Sequence, residues 1–152
     1  MTDDWDNLDD KLDRCEHLAD IIESERAGMV CEVMRTMAVN LITDQHAVDT
    51  GRLRASVGSD NNEVIVRDGE TTVTMGIDCP VEYGIFIEYG TGPKGGPEIP
   101  HTTKEKWPYM GEDGKFHMGY PQNPRPFMRP ALYNNIGTYK EILKGAITEV
   151  FE

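Results

Sequence analysis

Three features of the chain predict an α+β fold built on an antiparallel sheet. Apolar residues recur at helical spacing from residue 8 to residue 42. Two β-branched runs, Glu63–Arg67 and Thr71–Gly76, flank Asp68-Gly69-Glu70, whose Asp-Gly pair supplies the positive φ angles of a tight hairpin. A second amphipathic helix closes the chain, entered through Pro130 and running to about Phe151. At 152 residues and 38% hydrophobic, the chain can bury one core and has no room for two, which predicts a single domain over 1–152.

The N-terminal segment from Asp6 to Glu25 is acidic and favours a helix. Leu8, Leu12, Cys15, Ala19 and Ile22 step by four and three residues and place one narrow apolar stripe on a charged cylinder. That stripe needs a partner, either the protein's own sheet or a neighbouring subunit. Asp3, Asp4 and Asp6 suit a helix N-terminus as caps and through the macrodipole. Glycine in a helix interior costs about 1 kcal/mol relative to Ala, so a long helix is expected to kink or break near Gly28, leaving residues 1–27 as an acidic helical extension. Beyond it Met29, Val30, Val33, Met34, Met37, Ala38, Leu41 and Ile42 form a broader face, wide enough to lie on a core.

The stretch Val81-Glu82-Tyr83-Gly84-Ile85-Phe86-Ile87-Glu88-Tyr89-Gly90-Thr91 packs aromatic and branched residues around Glu88, a carboxylate in an apolar setting. Its periodicity fits both a helix and a strand, but Pro80 before it and Gly90 after it favour a short helix. Upstream, Asp49 or Thr50 can cap and Gly51 can turn into a short piece containing Arg52, Leu53 and Arg54. Downstream, the Gly/Pro-rich residues 92–124 form a long excursion. Within it Lys106–Met110 and Lys115–Met118 flank Gly111-Glu112-Asp113-Gly114, which predicts a projecting hairpin. On the final helix, Leu132, Ile136, Tyr139, Leu143, Ile147 and Val150 fall on one face. Gly137 and Gly145 either weaken that helix or let another approach closely.

A net charge of −12 and a pI near 4.7 oppose sequence-independent binding of DNA or anionic lipid and favour a basic partner surface. No apolar run is long enough for a membrane span, and the acidic start is unlike a signal peptide, so synthesis in the cytoplasm is expected. Cys15, Cys31 and Cys79 are odd in number and widely spaced, which argues against disulfides. Neither Cys15 with His17 nor His101 with His117 has the spacing of a zinc site, and no metal or cofactor is predicted. Glu82 with Glu88, or His101 or His117 beside Asp113, could serve as acid and base, yet no nucleophile motif or phosphate loop accompanies them. The chain is predicted not to be an enzyme.

Asp49-Thr50-Gly51-Arg52-Leu53-Arg54-Ala55-Ser56, Tyr83-Gly84-Ile85-Phe86-Ile87-Glu88-Tyr89-Gly90-Thr91 and Arg125-Pro126-Phe127-Met128-Arg129-Pro130-Ala131-Leu132 occur in that order. Together they resemble the three signatures of the small tail-component family of long-tailed bacteriophages, the head–tail joining and tail-completion proteins of the neck. The resemblance runs from the Met29 helix to the C-terminal helix. It implies helices against a curved antiparallel sheet, and a homo-oligomeric ring of six or twelve subunits contacting neck, connector or tail-tube proteins in the virion. It implies neither a membrane nor a specific nucleic acid, although genome DNA would pass through the ring. The acidic extension and the long excursion depart from the family pattern. Surplus acid lining a lumen would repel passing DNA.

The residues expected to mediate subunit or partner contacts are Asp49, Arg52, Arg54, Tyr83, Phe86, Glu88, Trp107, Arg125, Phe127 and Arg129. Glu88 is expected to pair with Arg125 or Arg129, and a swapped pair, Glu88→Arg with Arg129→Glu, to restore what either change alone removes. A tail terminator or a minor tube-associated component is the nearest alternative. A nucleic-acid-binding accessory protein stacking bases on Trp107, Tyr109, Phe116 and Tyr120, or a hydrolase, is the alternative from another class.

Overall fold

The computed structural model describes residues 2–46, 51–58, 63–67 and 70–152. The fold is α+β. Its elements are α1 (Thr2–Ile21), a π-helical turn (Ile22–Arg26), α2 (Ala27–Asp44), α3 (Arg52–Ser56), β1 (Glu63–Arg67), β2 (Glu70–Thr74), α4 (Gly84–Tyr89), a 3-10 turn (Gly92–Lys94), β3 (Trp107–Met110), β4 (Phe116–Gly119), α5 (Met128–Tyr133) and α6 (Ile136–Phe151). The antiparallel pairing is local: β1 pairs with β2 and β3 with β4, each as a two-stranded ribbon among the described residues. Asp68 and Gly69, the predicted turn of the first hairpin, lie outside the described residues.

The chain forms two compact units that alternate along the sequence. The first comprises Met1–Thr36, Gly58–Asp78 and Ala131–Glu152; the second comprises Met37–Val57 and Cys79–Pro130.

In the first unit, α1 and the π turn pack on α6. Ile21, Ala27, Val30, Cys31, Met34, Ala131, Tyr139 and Ala146 are buried. Spacings of three and four residues from Ala27 through Val30 and Cys31 to Met34 keep one face of α2 inward. The helix does not break at Gly28. The irregularity falls one turn earlier, where the Ala27 N–H reaches back five residues to the Ile22 carbonyl, and Gly28 sits exposed on a continuing helix with open space beyond its Cα. Packing of the flanking apolar residues outweighs the weak helix propensity of one glycine.

Two further readings concern the helices, and the second needs correction. The stripe on α1 is not covered along its length: Leu8, Leu12 and Cys15 are exposed, and burial begins only with Leu18, Ala19 and Ile21. The C-terminal helix is two helices, because Asn135 adopts φ −122°, ψ 15° and its side-chain amide donates to the Ala131 carbonyl at 3.2 Å instead of continuing the spiral. Its inward face is Tyr139, Ala146 and, less deeply, Ile142, Leu143 and Val150, whereas Leu132, Ile136 and Ile147 are exposed. The small residue Gly145 belongs to a close approach: a Cβ there would stand 2.9 Å from Arg26 Nη1, and Arg26 pairs with Glu149 at 2.9 Å.

The second unit buries Ala38, Ile42, Leu53, Val57, Val81, Ile99 and Phe127. Val81–Thr91 holds a helix, not a strand, because the start of α4 is pressed into this core. A Cβ on Gly84 would lie 2.8 Å from Cys79 Sγ and 3.4 Å from the Leu53 side chain. Gly90 ends α4 with φ +81°, ψ 179°, a conformation open essentially to glycine alone, and donates its N–H to the Phe86 carbonyl at 2.9 Å.

Since Gly28 is helical and unobstructed, Gly28→Ala is expected to raise stability by about 0.5–1 kcal/mol, read as a higher midpoint in denaturant unfolding. Burial raises the Tyr139 phenol above its ordinary pKa of 10.0, and its hydroxyl donates to the Ala131 carbonyl. The stability it contributes is complete below that ordinary value and is lost as pH climbs through the folded value. Tyr139→Phe should lower stability at neutral pH by about 0.5–1.5 kcal/mol and reduce the alkaline loss, measured by unfolding between neutral and alkaline pH.

Candidate functional site

The chemistry of the second unit centres on the Glu88 carboxylate, 4% exposed near the end of α4. Its Oε2 accepts the backbone N–H groups of Phe127 at 2.6 Å and Met128 at 2.9 Å. Its Oε1 accepts the backbone N–H of Arg129 at 3.1 Å and the Arg129 Nε at 2.9 Å. One carboxylate therefore satisfies three consecutive amides at the start of α5, the groups a helix beginning leaves without partners. The Arg129 guanidinium also lies 4.4 Å above the centre of the Tyr89 ring and 3.5 Å from Glu98, and the hydrogen bond it donates to Glu88 raises its pKa further. Of the two arginines that could meet Glu88, Arg129 does so. Arg125 instead donates its backbone N–H to the Ile87 carbonyl at 2.8 Å and its Nη1 to the His46 carbonyl at 3.2 Å. Phe127, fully buried, anchors the segment between them.

In front of this clamp the same unit opens into a broad concavity of about 1470 Å³. Six of the residues expected to mediate contacts line it: Arg52, Arg54, Tyr83, Phe86, Trp107 and Arg125. Glu88, Phe127 and Arg129 do not line it; they hold its supporting elements together. Asp49 lies outside the described residues.

The β3–β4 hairpin forms one wall. Trp107 is pinched at its base: a Cβ on Gly92 would lie 2.7 Å from the indole, and one on Gly119, its cross-strand partner, 2.6 Å from it. Thr91 ties the hairpin to α4, pairing its backbone with Gln122 and donating its hydroxyl to the Tyr120 carbonyl at 3.1 Å. Arg52 reaches the hairpin turn and contacts both oxygens of Glu112 at 2.5 Å, an exposed pair worth about 0–1 kcal/mol. Asp113 accepts from His117 Nε2 at 2.9 Å, which holds the Asp113 carboxyl below its ordinary range. His117 in turn lies against the Tyr109 ring, with centroids 5.7 Å apart.

Residues lining the concavity that were not among the ten expected contacts include Tyr109, Met110, Met118, His101 and Lys104. For Tyr109, Met110 and Met118 the signal was the predicted hairpin, but strand alternation alone does not say which face meets a cavity; His101 and Lys104 lie in the loop before it. Among the described residues no three metal-ligating side chains gather, and no helix is long and apolar enough to cross a membrane. Comparison with known protein families, curated proteins and solved structures finds no match for this chain.

The geometry alters one expectation. A swapped pair, Glu88→Arg with Arg129→Glu, exchanges the charges but leaves three backbone donors facing a cation that cannot accept from them. Glu88→Gln should cost about 2–4 kcal/mol, Arg129→Lys about 1 kcal/mol through loss of the Nε contact and the stacking on Tyr89, and the swapped double variant should show no rescue. Thermal and denaturant unfolding of wild type, these variants and the single changes Glu88→Arg and Arg129→Glu measures this, and recovery of the double variant relative to those singles would show that charge pairing dominates the backbone bonds.

Proposed function

We propose that this chain is a structural component of the neck or tail end of a long-tailed bacteriophage, a tail-completion or head–tail joining subunit that works by non-covalent contact in a ring. The observation that carries this reading is the convergence of the three family-like segments. Leu53 of the first packs at Gly84 of the second, and the Ile87 carbonyl and Glu88 carboxylate of the second hold Arg125 and residues 127–129 of the third. Contacts that span up to 41 residues of sequence thus join the three segments into one scaffold behind an open surface. That surface carries exposed Phe86, Tyr109, Met110 and Met118 beside cationic side chains. Such a mixture suits docking of another protein, with exposed apolar area supplying affinity and charge supplying selection.

Weak faces of this kind become strong together when a symmetric ring closes, through effective concentration. Deleting the gene in the source phage should yield filled heads and separate tails, with infectivity restored by the gene supplied in trans. Electron microscopy of the lysate, with mass spectrometry of purified particles, tests this. Normally joined, infectious particles lacking the protein would exclude the neck role.

A further inference from the structure

The formal charge divides sharply between the two units. The first carries nineteen Asp and Glu against seven Lys and Arg, the second eight against eight, so the whole net charge of −12 belongs to the first. Much of that surplus sits on α1, where Asp9, Asp13, Glu16 and Asp20 form one edge of the helix beside the uncovered stripe of Leu8, Leu12 and Cys15. Leu8 and Leu12 are 45% and 54% exposed.

The concavity of the second unit is the converse. Its acidic side chains Glu112 and Asp113 are engaged by Arg52 and His117, while Arg54, Lys104 and Arg125 outnumber the remaining carboxylate, Glu82. Its apolar side chains are as open as those of α1: Phe86 is 47% and Met110 56% exposed.

We propose that the concavity receives α1 of a second copy of this chain, with Leu8 and Leu12 seated against Phe86, Tyr109 and Met110 and the acidic edge of the helix turned toward Arg54 and Lys104. The mode is an amphipathic helix in a groove, anchored at spacings of four and three residues. Charge decides the occupant. An α1-to-α1 seam would bring two acidic edges together, and an anionic membrane or nucleic acid would be repelled by the same carboxylates, whereas the second unit offers the complementary sign. Helix and groove are different surfaces of one chain, so the contact is head-to-tail. Repetition closes a ring when the rotation permits. The inference rests on the assembly reading above and names its contact.

The test uses full-length proteins. Leu8→Glu/Leu12→Glu disables the helix and Arg54→Glu/Lys104→Glu disables the groove, with helicity and unfolding midpoint confirming the folded state. By native mass spectrometry and sedimentation, wild type should form oligomers, each variant alone should remain monomeric, and an equimolar mixture should give a 1:1 heterodimer and nothing larger, because one good helix and one good groove remain. As an independent probe that spares both charge sets, Met110→Cys should form an intermolecular disulfide to Cys15 on oxidation, lost in Cys15→Ser. A variant that assembles like wild type, a mixture that stays monomeric, or a wild type that never self-associates would each overturn the contact. Groove variants that oligomerise normally yet fail to enter particles would give the groove to a foreign protein and leave the neck reading standing. Absence from virions with the contact intact would remove the neck role and not the contact.

Discussion

The second unit depends on one carboxylate. Glu88 is the sole charged side chain among the described residues that is buried, and it accepts four hydrogen bonds from a single stretch of chain. The magnitudes show which of these matters. Arg129 keeps 39% of its side chain exposed, so its attraction is screened and resembles a surface pair of about 0–1 kcal/mol. Three backbone N–H groups without Glu88 would each lose a charged acceptor, at about 1–3 kcal/mol apiece where no water replaces it. The amides therefore hold α5 to α4, and the arginine neutralises the carboxylate that does the holding. A buried ion pair contributes little over a well-packed apolar pair; a buried carboxylate matching three consecutive donors fixes the order and direction of two elements in a way apolar contacts cannot.

The approach of α5 to α4 also explains the glycines around it. With Arg125 bonded to Ile87 and Thr91 paired to Gln122, the chain at Gly90 is confined so closely that a Cβ would stand 2.7 Å from the Gln122 carbonyl and 2.9 Å from Pro124. The positive φ at Gly90 turns the chain out of α4 within one residue, allowing the hairpin to rise beside the helix. The concavity is the space left between them. Its apolar and cationic lining comes from side chains on α3, α4, the hairpin and the loops beside them.

Much of this was legible from the amino acids, for reasons that also explain what was not. Helical period, β-branched runs and Gly-rich turns are local, and they located α1, α2, β1–β2, β3–β4 and the C-terminal helical segment. Glu88, a carboxylate among apolar neighbours, pointed to a cationic partner, and the two candidates were the right neighbourhood. The three amide donors at residues 127–129 were invisible, since any residue supplies an N–H and only tertiary approach selects which ones converge. The π turn at Ile22–Arg26 has no local signature, whereas Gly28 has one and the helix overrides it. For the final helical segment, Leu132, Ile136 and Ile147 satisfied the period but not the burial: Leu132 belongs to the piece before Asn135, and the inward face of α6 centres on Tyr139, Ile142, Leu143 and Ala146, which leaves Ile136 and Ile147 at its margin.

The uncovered stripe on α1 carries the same lesson into assembly. Periodicity showed that Leu8, Leu12 and Cys15 need a partner without saying where it lies, and within the chain they remain exposed. An amphipathic helix rich in carboxylates gains little from folding alone, since its propensity is modest and its apolar edge stays wet. The contact proposed above, made outside the monomer, would cover that edge. The segregation of charge then limits what that contact can be: a surface whose carboxylates far outnumber its cations associates with its own kind only through a region of the other character, and the neutral, aromatic second unit is that region. In the proposed assembly, polarity along the chain would become direction, because each copy carries an acidic helix in its first unit and a receptive groove in its second.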